Sequence, residues 1–280
     1  MRWQRTIRTK ELDEQWRREG RGQGEWQNYA PWLRAEDITN RITAVAPGLL
    51  VDRPYHLLSP LQANYFRQLE WEAITSGSVV DIREQFPLKW AEDTLELAAY
   101  LQMSHPVDGW SKEPVVMVTT FLVTKIGERG AEYTAIAVRS NDQMNRANTQ
   151  RYLMLEQAYW HNRGVKWSLV TSRDVNMTLV RNLYLIGPGR HRTGETYAEM
   201  LRIAERVKAP LLKGNASILE VCNANDRRMR YDPGTSMGAV MGMLGANRWV
   251  TDLEERPLDV DEPLRFWDNP SPPECLNNLR

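Results

Sequence analysis

Residues 115 to 140, VVMVTTFLVTKIGERGAEYTAIAVRS, place two apolar runs on either side of a short charged turn bracketed by Gly127 and Gly130. That pattern predicts a β-hairpin. A hairpin of this type is where a metal-dependent nuclease carries its acids. One or two carboxylates hold magnesium, and the ion activates a water and neutralises the leaving oxygen. The two apolar runs here offer no acid for that work. Other metal chemistry is no better served. His56, His105, His161 and His191 lack the i, i+4 spacing of a zinc helix, and Cys222 and Cys275 are too few for a four-ligand zinc site or a disulfide framework. Such cysteine usage points to a reducing cytoplasm.

Basic residues are the other candidates. With 36 basic and 36 acidic residues among 280, any nucleic-acid affinity must come from local patches rather than the overall field. Arg17, Arg18 and Arg21 run into GRGQG, and two readings stand open: a flexible basic arm laid on a phosphate backbone, or a solvated terminus. GRGQG itself is no phosphate cradle, because no strand precedes it and no helix opens from it. Near the C-terminus, Arg227, Arg228 and Arg230 in RRMRY suit DNA or an acidic partner. By contrast, TDLEERPLDVDEP carries Asp252, Glu254, Glu255, Asp259, Asp261 and Glu262 against one Arg, which would repel phosphate and suits a protein surface or none.

The elements that must position these residues follow from periodicity. Ser59 and Pro60 read as N-cap and first helical position, with Leu61, Tyr65, Leu69 and Ala73 on one stripe. SGSVVDIREQFPL reads as turn, strand and proline stop, and AEDTLELAAYLQM as a second helix. After the hairpin, NRANTQRYLMLEQAYWHNRG is a helix closed by Gly164, and VKWSLVTS a further strand. This order predicts an α/β fold with a mixed sheet flanked by helices. A seam is expected at IGPGRHRTGE, residues 186 to 195. Beyond it, three helices and two apolar ends able to pair, RWVTDL and PLRFW, follow the winged-helix order. Gly238, Gly242 and Gly245 in the third helix either weaken it or allow close packing. The expected division is a basic arm over 1–30, a first domain over 31–188 and a smaller one over 189–280. The N-terminus lacks the apolar core of a signal peptide, and no apolar run is long enough to cross a membrane.

Several stretches, REGRGQGEWQNYAPWL, HLLS, LEWE, VVDIREQFPL, HP at 105–106, VMVTTFLV, LEQAYWHNRGVKW and more faintly YDPGTS, resemble in order and spacing the TnsA-type endonucleases of heteromeric cut-and-paste bacterial transposons. The resemblance covers most of the chain. It implies a restriction-endonuclease-like first domain, a winged-helix-like second one and a magnesium-dependent cut of the non-transferred strand at transposon ends. It also implies three partners: the end DNA, a companion integrase-type transposase and an ATP-dependent regulator. The place of action would be the bacterial cytoplasm, at the nucleoid.

The resemblance also locates the catalytic positions, and four of them depart from the family. Where the family has an acid on the helix after HLLS, this chain has Gln62, and where it has an acid before FLV, Thr120. Its Gln-x-Lys pair becomes Ala137 and Arg139, and only the acid at Glu156 is kept. A neutral amide, a hydroxyl, a methyl and a guanidinium make no magnesium shell. The expectation is therefore a protein without metal that binds DNA and does not cut it. These five positions should converge on one face, with Arg139, Arg17, Arg18, Arg21 and Lys166 forming a basic track across it. Two alternatives are an active magnesium nuclease whose site has moved to Glu70, Glu72, Asp81 or Glu84, and a DNA-binding protein recruited to regulation or defence. In DIREQ, local turn bonds and an Asp–Arg pair account equally well for the acids.

Overall fold

The computed structural model describes residues 7–38, 42–89, 91–128, 130–190 and 197–271, with only the backbone at 188–190. Residues 1–6 of the expected arm, His191 and Cys275 lie outside them. The chain divides into two compact units, one of Met1–Ala73 with Ser78–Val175 and one of Ile74–Gly77 with Asn176–Arg280.

The first unit opens with α1 (Lys10–Arg18), where the Thr9 side chain accepts from the Leu12 N–H and the acids of the first turn and arginines of the last suit the helix dipole. Trp16 on this helix is buried and meets Trp32 edge-on at 5.6 Å, with Val116 completing the cluster. Arg8 and Arg21 stack on the Trp16 ring at 4.6 and 4.3 Å. Over residues 7–30 the flexible arm is therefore overturned. Trp16 is a core residue, and Arg8 and Arg21 cover it. GRGQG is a docking turn: Gly22 sits at φ +74, and a Cβ there would lie 2.3 Å from the Pro87 ring.

A small hairpin, β1 (Ala44–Pro47) with β2 (Pro54–Leu57), leads into α2 (Pro60–Ser76). Then follow β3 (Val79–Pro87), α3 (Ala91–Tyr100), β4 (Val118–Gly127), β5 (Gly130–Val138), α4 (Asn141–Met144), α5 (Ala147–His161) and β6 (Lys166–Val170). The sheet order is β3-β4-β5-β6, antiparallel except for the last pair, whose parallel pairing requires the crossover through α5. One sheet face packs Leu122 and Ala135 on Leu155, Tyr159 and Trp160. Phe121, pointing the other way, meets Phe66 of α2. The mixed sheet flanked by helices is as expected. The strands are not wholly free of acids, because β5 begins early enough to include Glu132. That residue is exposed near the turn, opposite Lys125.

The second unit contains α6 (Met177–Arg190), α7 (Tyr197–Leu212), α8 (Ile218–Met229), α9 (Thr235–Gly245) and the short pair β7 (Trp249–Val250) and β8 (Trp267–Asp268). The expected boundary at 188/189 moves to 175/176. α6 continues through the Gly-Pro stretch, and its buried Leu179, Val180, Leu183 and Ile186 belong with α9. α9 packs against α6, α7 and α8 and is buried on nearly every side, so its glycines lie where helices approach closely. Asp226 of α8 caps it, accepting from Gly234 N–H and Ser236 N–H at 2.9 Å each. The acidic segment between β7 and β8 is pinned by Asn182, whose side chain donates to Leu253 O and Arg256 O and accepts from Leu258 N–H. No helix among the described residues is long and apolar enough to cross a membrane.

Candidate functional site

The N-terminus of α2, the end of β3, the start of β4, the C-terminal end of β5 and the start of α5 enclose an open cleft of about 730 Å³ in the first unit. Gln62, Gln85, Thr120, Arg139, Arg151 and Tyr152 are among its lining residues. Ser59 caps α2 by accepting from Gln62 N–H at 3.2 Å, which fixes Gln62 at the mouth of the helix. The Gln62 Oε1 accepts from Leu58 N–H at 2.8 Å and from Gln85 Nε2 at 3.1 Å. A backbone N–H can only donate, so the amide is oriented without ambiguity, with Oε1 inward and Nε2 toward the cleft.

Thr120 is buried. Its Oγ1 accepts from Val138 N–H at 3.0 Å and from Arg139 Nη1 at 3.1 Å. The same Nη1 donates to Val138 O at 2.9 Å, and the guanidinium lies 5.4 Å from the Tyr152 ring centre. Arg139 Nη2 stands 3.6 Å from Glu156 Oε2. Glu156 is 0% exposed, and its Oε1 accepts from the Thr119 hydroxyl, which in turn accepts from the Trp160 indole N–H at 3.1 Å. Ala137 is fully buried two residues before Arg139, on the same strand face, and contributes a methyl. The residues singled out by the family pattern are thus brought together. Gln62, Thr120 and Arg139 border the cleft, with Ala137 and Glu156 beneath.

Burial pushes the Glu156 carboxyl above its ordinary range, and the Arg139 charge and the Thr119 hydroxyl only partly oppose it. With its folded value raised, the native state holds this proton to higher pH than the unfolded chain does. The contribution of Glu156 is then fully present below the ordinary carboxylate value and lost as pH rises through the raised one. Glu156→Gln removes that titration. Its stability relative to the unsubstituted chain is expected to improve as pH rises from the ordinary carboxylate value of about 4 toward neutrality. Urea denaturation of both proteins across that range checks this, and a pH-independent difference would refute it.

The donor set does not fit magnesium. The ion needs hard oxygen acceptors in an octahedral shell, and here an amide N–H₂ and a guanidinium face the space. None of the described residues lining the cleft is Asp or Glu. Nor do the acids considered as substitutes supply a site. Glu70 accepts from Leu49 N–H, and Glu72 pairs with Lys125. Asp81 lies 3.5 Å from Arg83, the pair expected from sequence, although DIREQ is a strand rather than a turn. Glu84, 0% exposed, takes two hydrogen bonds from Arg53, at 3.0 and 2.7 Å.

Of the basic residues, Arg17 and Arg18 are exposed on the last turn of α1, and Arg227, Arg228 and Arg230 at the end of α8. Two members of the expected track fail. Arg21 is buried against Asp37 at 2.6 Å, Glu19 and the Trp32 carbonyl, because its guanidinium roofs Trp16. Lys166 is opposite Thr134 in the parallel register while Val138 meets Val170, so it sits at the far end of the strands from Arg139, roughly 16 Å along them. Sequence reading missed Gln85, Tyr152 and Arg151. Tyr152 had a signal, since it precedes Glu156 by one helical turn and shares its face. Gln85 had none, because it reaches Gln62 from a left-handed backbone (φ 49) at the end of β3.

Two comparisons bear on this site. The model for the N-terminal domain of TnsA-like endonucleases matches residues 76–172, which run from the end of α2 through β6 and take in Thr120, Ala137, Arg139 and Glu156. The transposon Tn7 transposition protein TnsA of Escherichia coli is 32% identical over 242 residues, covering 83% of this chain and 82% of that protein. A likeness of that extent runs well beyond the sheet that builds the cleft, and with it the chain belongs to the TnsA family of transposition proteins.

Proposed function

We propose that this TnsA-type subunit serves transposition without cutting DNA. It binds transposon-end DNA and organises the companion integrase-type transposase or the ATP-dependent regulator around it, in the cytoplasm at the nucleoid. The observation that carries the reading is Arg139. Its guanidinium bonds to Thr120 and faces Glu156, so a fixed organic cation stands among the residues from which a metal-binding shell would be built. Without a cut on the non-transferred strand, the element would integrate by a copy-in route and leave a joined cointegrate, unless another nuclease works beside it. The second unit would act as a winged-helix-like module. Its exposed Arg227, Arg228 and Arg230 would meet DNA or an acidic partner, and its acidic β7–β8 segment would face protein.

A strand-specific assay tests this. The chain, the companion transposase and an end-bearing plasmid are incubated with magnesium or manganese, and nicks are mapped on each strand. Transferred-strand nicks alone are expected. Non-transferred-strand cleavage that vanishes in Glu156→Gln would overturn the reading.

A further inference from the structure

The polarity of the cleft points to a particular contact, which rests on the DNA-binding reading above. With a glutamate at position 62, one carboxylate oxygen would take the Leu58 N–H and the other would enter the cleft as an acceptor. Glutamine keeps the first bond, at 2.8 Å, and presents a donor in place of the second. That Nε2 has no partner among the described residues. Gln85 holds the amide in this orientation.

The rest of the lining follows the same sign. Arg151 is exposed at the start of α5, oriented by bonds to Ser104 Oγ at 2.9 Å and Asn148 Oδ1 at 3.0 Å. Arg139 lies across the cleft floor, with Glu156 shut below it and no acid among the described lining residues to oppose it. The first turns of two long helices, α2 and α5, also border the space, with Ser59 at one and Asn148 and Thr149 at the other. Their positive dipole ends add to the donors and do not create the site.

We propose that the cleft binds a phosphodiester oxygen of the DNA backbone directly, with no divalent ion between, through Gln62 Nε2, Arg151 and the outer edge of Arg139. A nuclease cleft lined with carboxylates repels phosphate until metal enters. This one has exchanged that requirement for fixed donors, so its hold on DNA is independent of magnesium.

A backbone contact is blind to sequence, so a labelled random-sequence DNA duplex is an adequate probe. Binding is measured by anisotropy across a salt titration, in EDTA and again in magnesium. The unsubstituted chain is expected to bind equally in both. Arg151→Ala is expected to reduce the salt slope by about one charge equivalent. Gln62→Glu keeps the oxygen used by Leu58 and Gln85, so it folds. It is expected to weaken binding in EDTA by about tenfold or more, the scale of one like-charge contact in a partly shielded cleft. Dependence of binding on magnesium, or indifference to both substitutions, overturns the proposal. Neither result depends on strand cleavage, so this contact and the non-cutting reading stand or fall separately.

Discussion

Converting Gln62, Thr120, Ala137 and Arg139 together to Glu, Asp, Gln and Lys is expected to yield a chain that nicks DNA in a magnesium-dependent manner, with a gain of several orders of magnitude over background. Metal catalysis contributes several kcal/mol of transition-state stabilisation, and each ~1.4 kcal/mol is tenfold in rate. The scaffold is already in place. Positions 62, 120 and 139 border one cleft, and Glu156 lies beneath it. No single change should suffice. An aspartate at 120 would be captured by the Arg139 guanidinium, which now reaches Thr120 Oγ1 at 3.1 Å, and an Arg139→Lys change alone would leave no second acid. The four positions share one network, so their effects are strongly non-additive. Manganese binding and plasmid nicking are measured on the four singles and the quadruple variant. A folded quadruple variant that binds no manganese would show that these residues do not make up the ancestral metal shell.

The second large effect concerns stability. Arg53→Ala is expected to destabilise the chain by about 3–5 kcal/mol, because it strands Glu84 as a buried charge. Glu84 is 0% exposed, and among the described residues it accepts, besides the two Arg53 Nη atoms, only from His56 N–H, at 3.1 Å. The guanidinium also stacks on Tyr55 at 3.8 Å and donates to Ile82 O at 2.7 Å. Against a usual domain stability of roughly 5–15 kcal/mol, such a loss brings the first unit close to unfolding. Chemical denaturation measures it. Adding Glu84→Gln to Arg53→Ala should recover much of the loss by removing the stranded charge. A cost below about 1 kcal/mol for Arg53→Ala would mean that Glu84 finds water or another cation, and the acid would regain its standing as a candidate ligand.

The parts of this fold legible in sequence were those set by local rules. Ser59 and Pro60 start α2 as read, Gly127 and Gly130 bracket the hairpin, and Gly164 closes α5 in the left-handed conformation. What was not legible depends on partners far along the chain. Arg21 looks like part of an arm for phosphate until Trp16 is brought beneath it. The Gly-Pro run at 187–188 looks like a break, yet α6 continues through it. Lys166 shares a sheet with Arg139, but only the parallel register shows that they occupy opposite ends. At the site, the identities of the five family positions were readable. That Arg139 bends inward to Thr120, leaving only its outer edge at the cleft, was not, because it depends on an Oγ1 already engaged by Val138 N–H.

Synthesis on the ribosome exposes the cost of the parallel β5–β6 pairing. The β4–β5 hairpin assembles from neighbouring residues, but the free edge of β5 must wait until Lys166–Val170 have emerged, with the whole of α5 made in between. During that interval the row of unpaired backbone groups from Thr134 to Val138, flanked by apolar side chains, is a template for any other nascent chain. The last five-residue strand is thus the lid on an aggregation hazard. A chain cut short after α5 would keep every residue of the cleft and leave that edge permanently open.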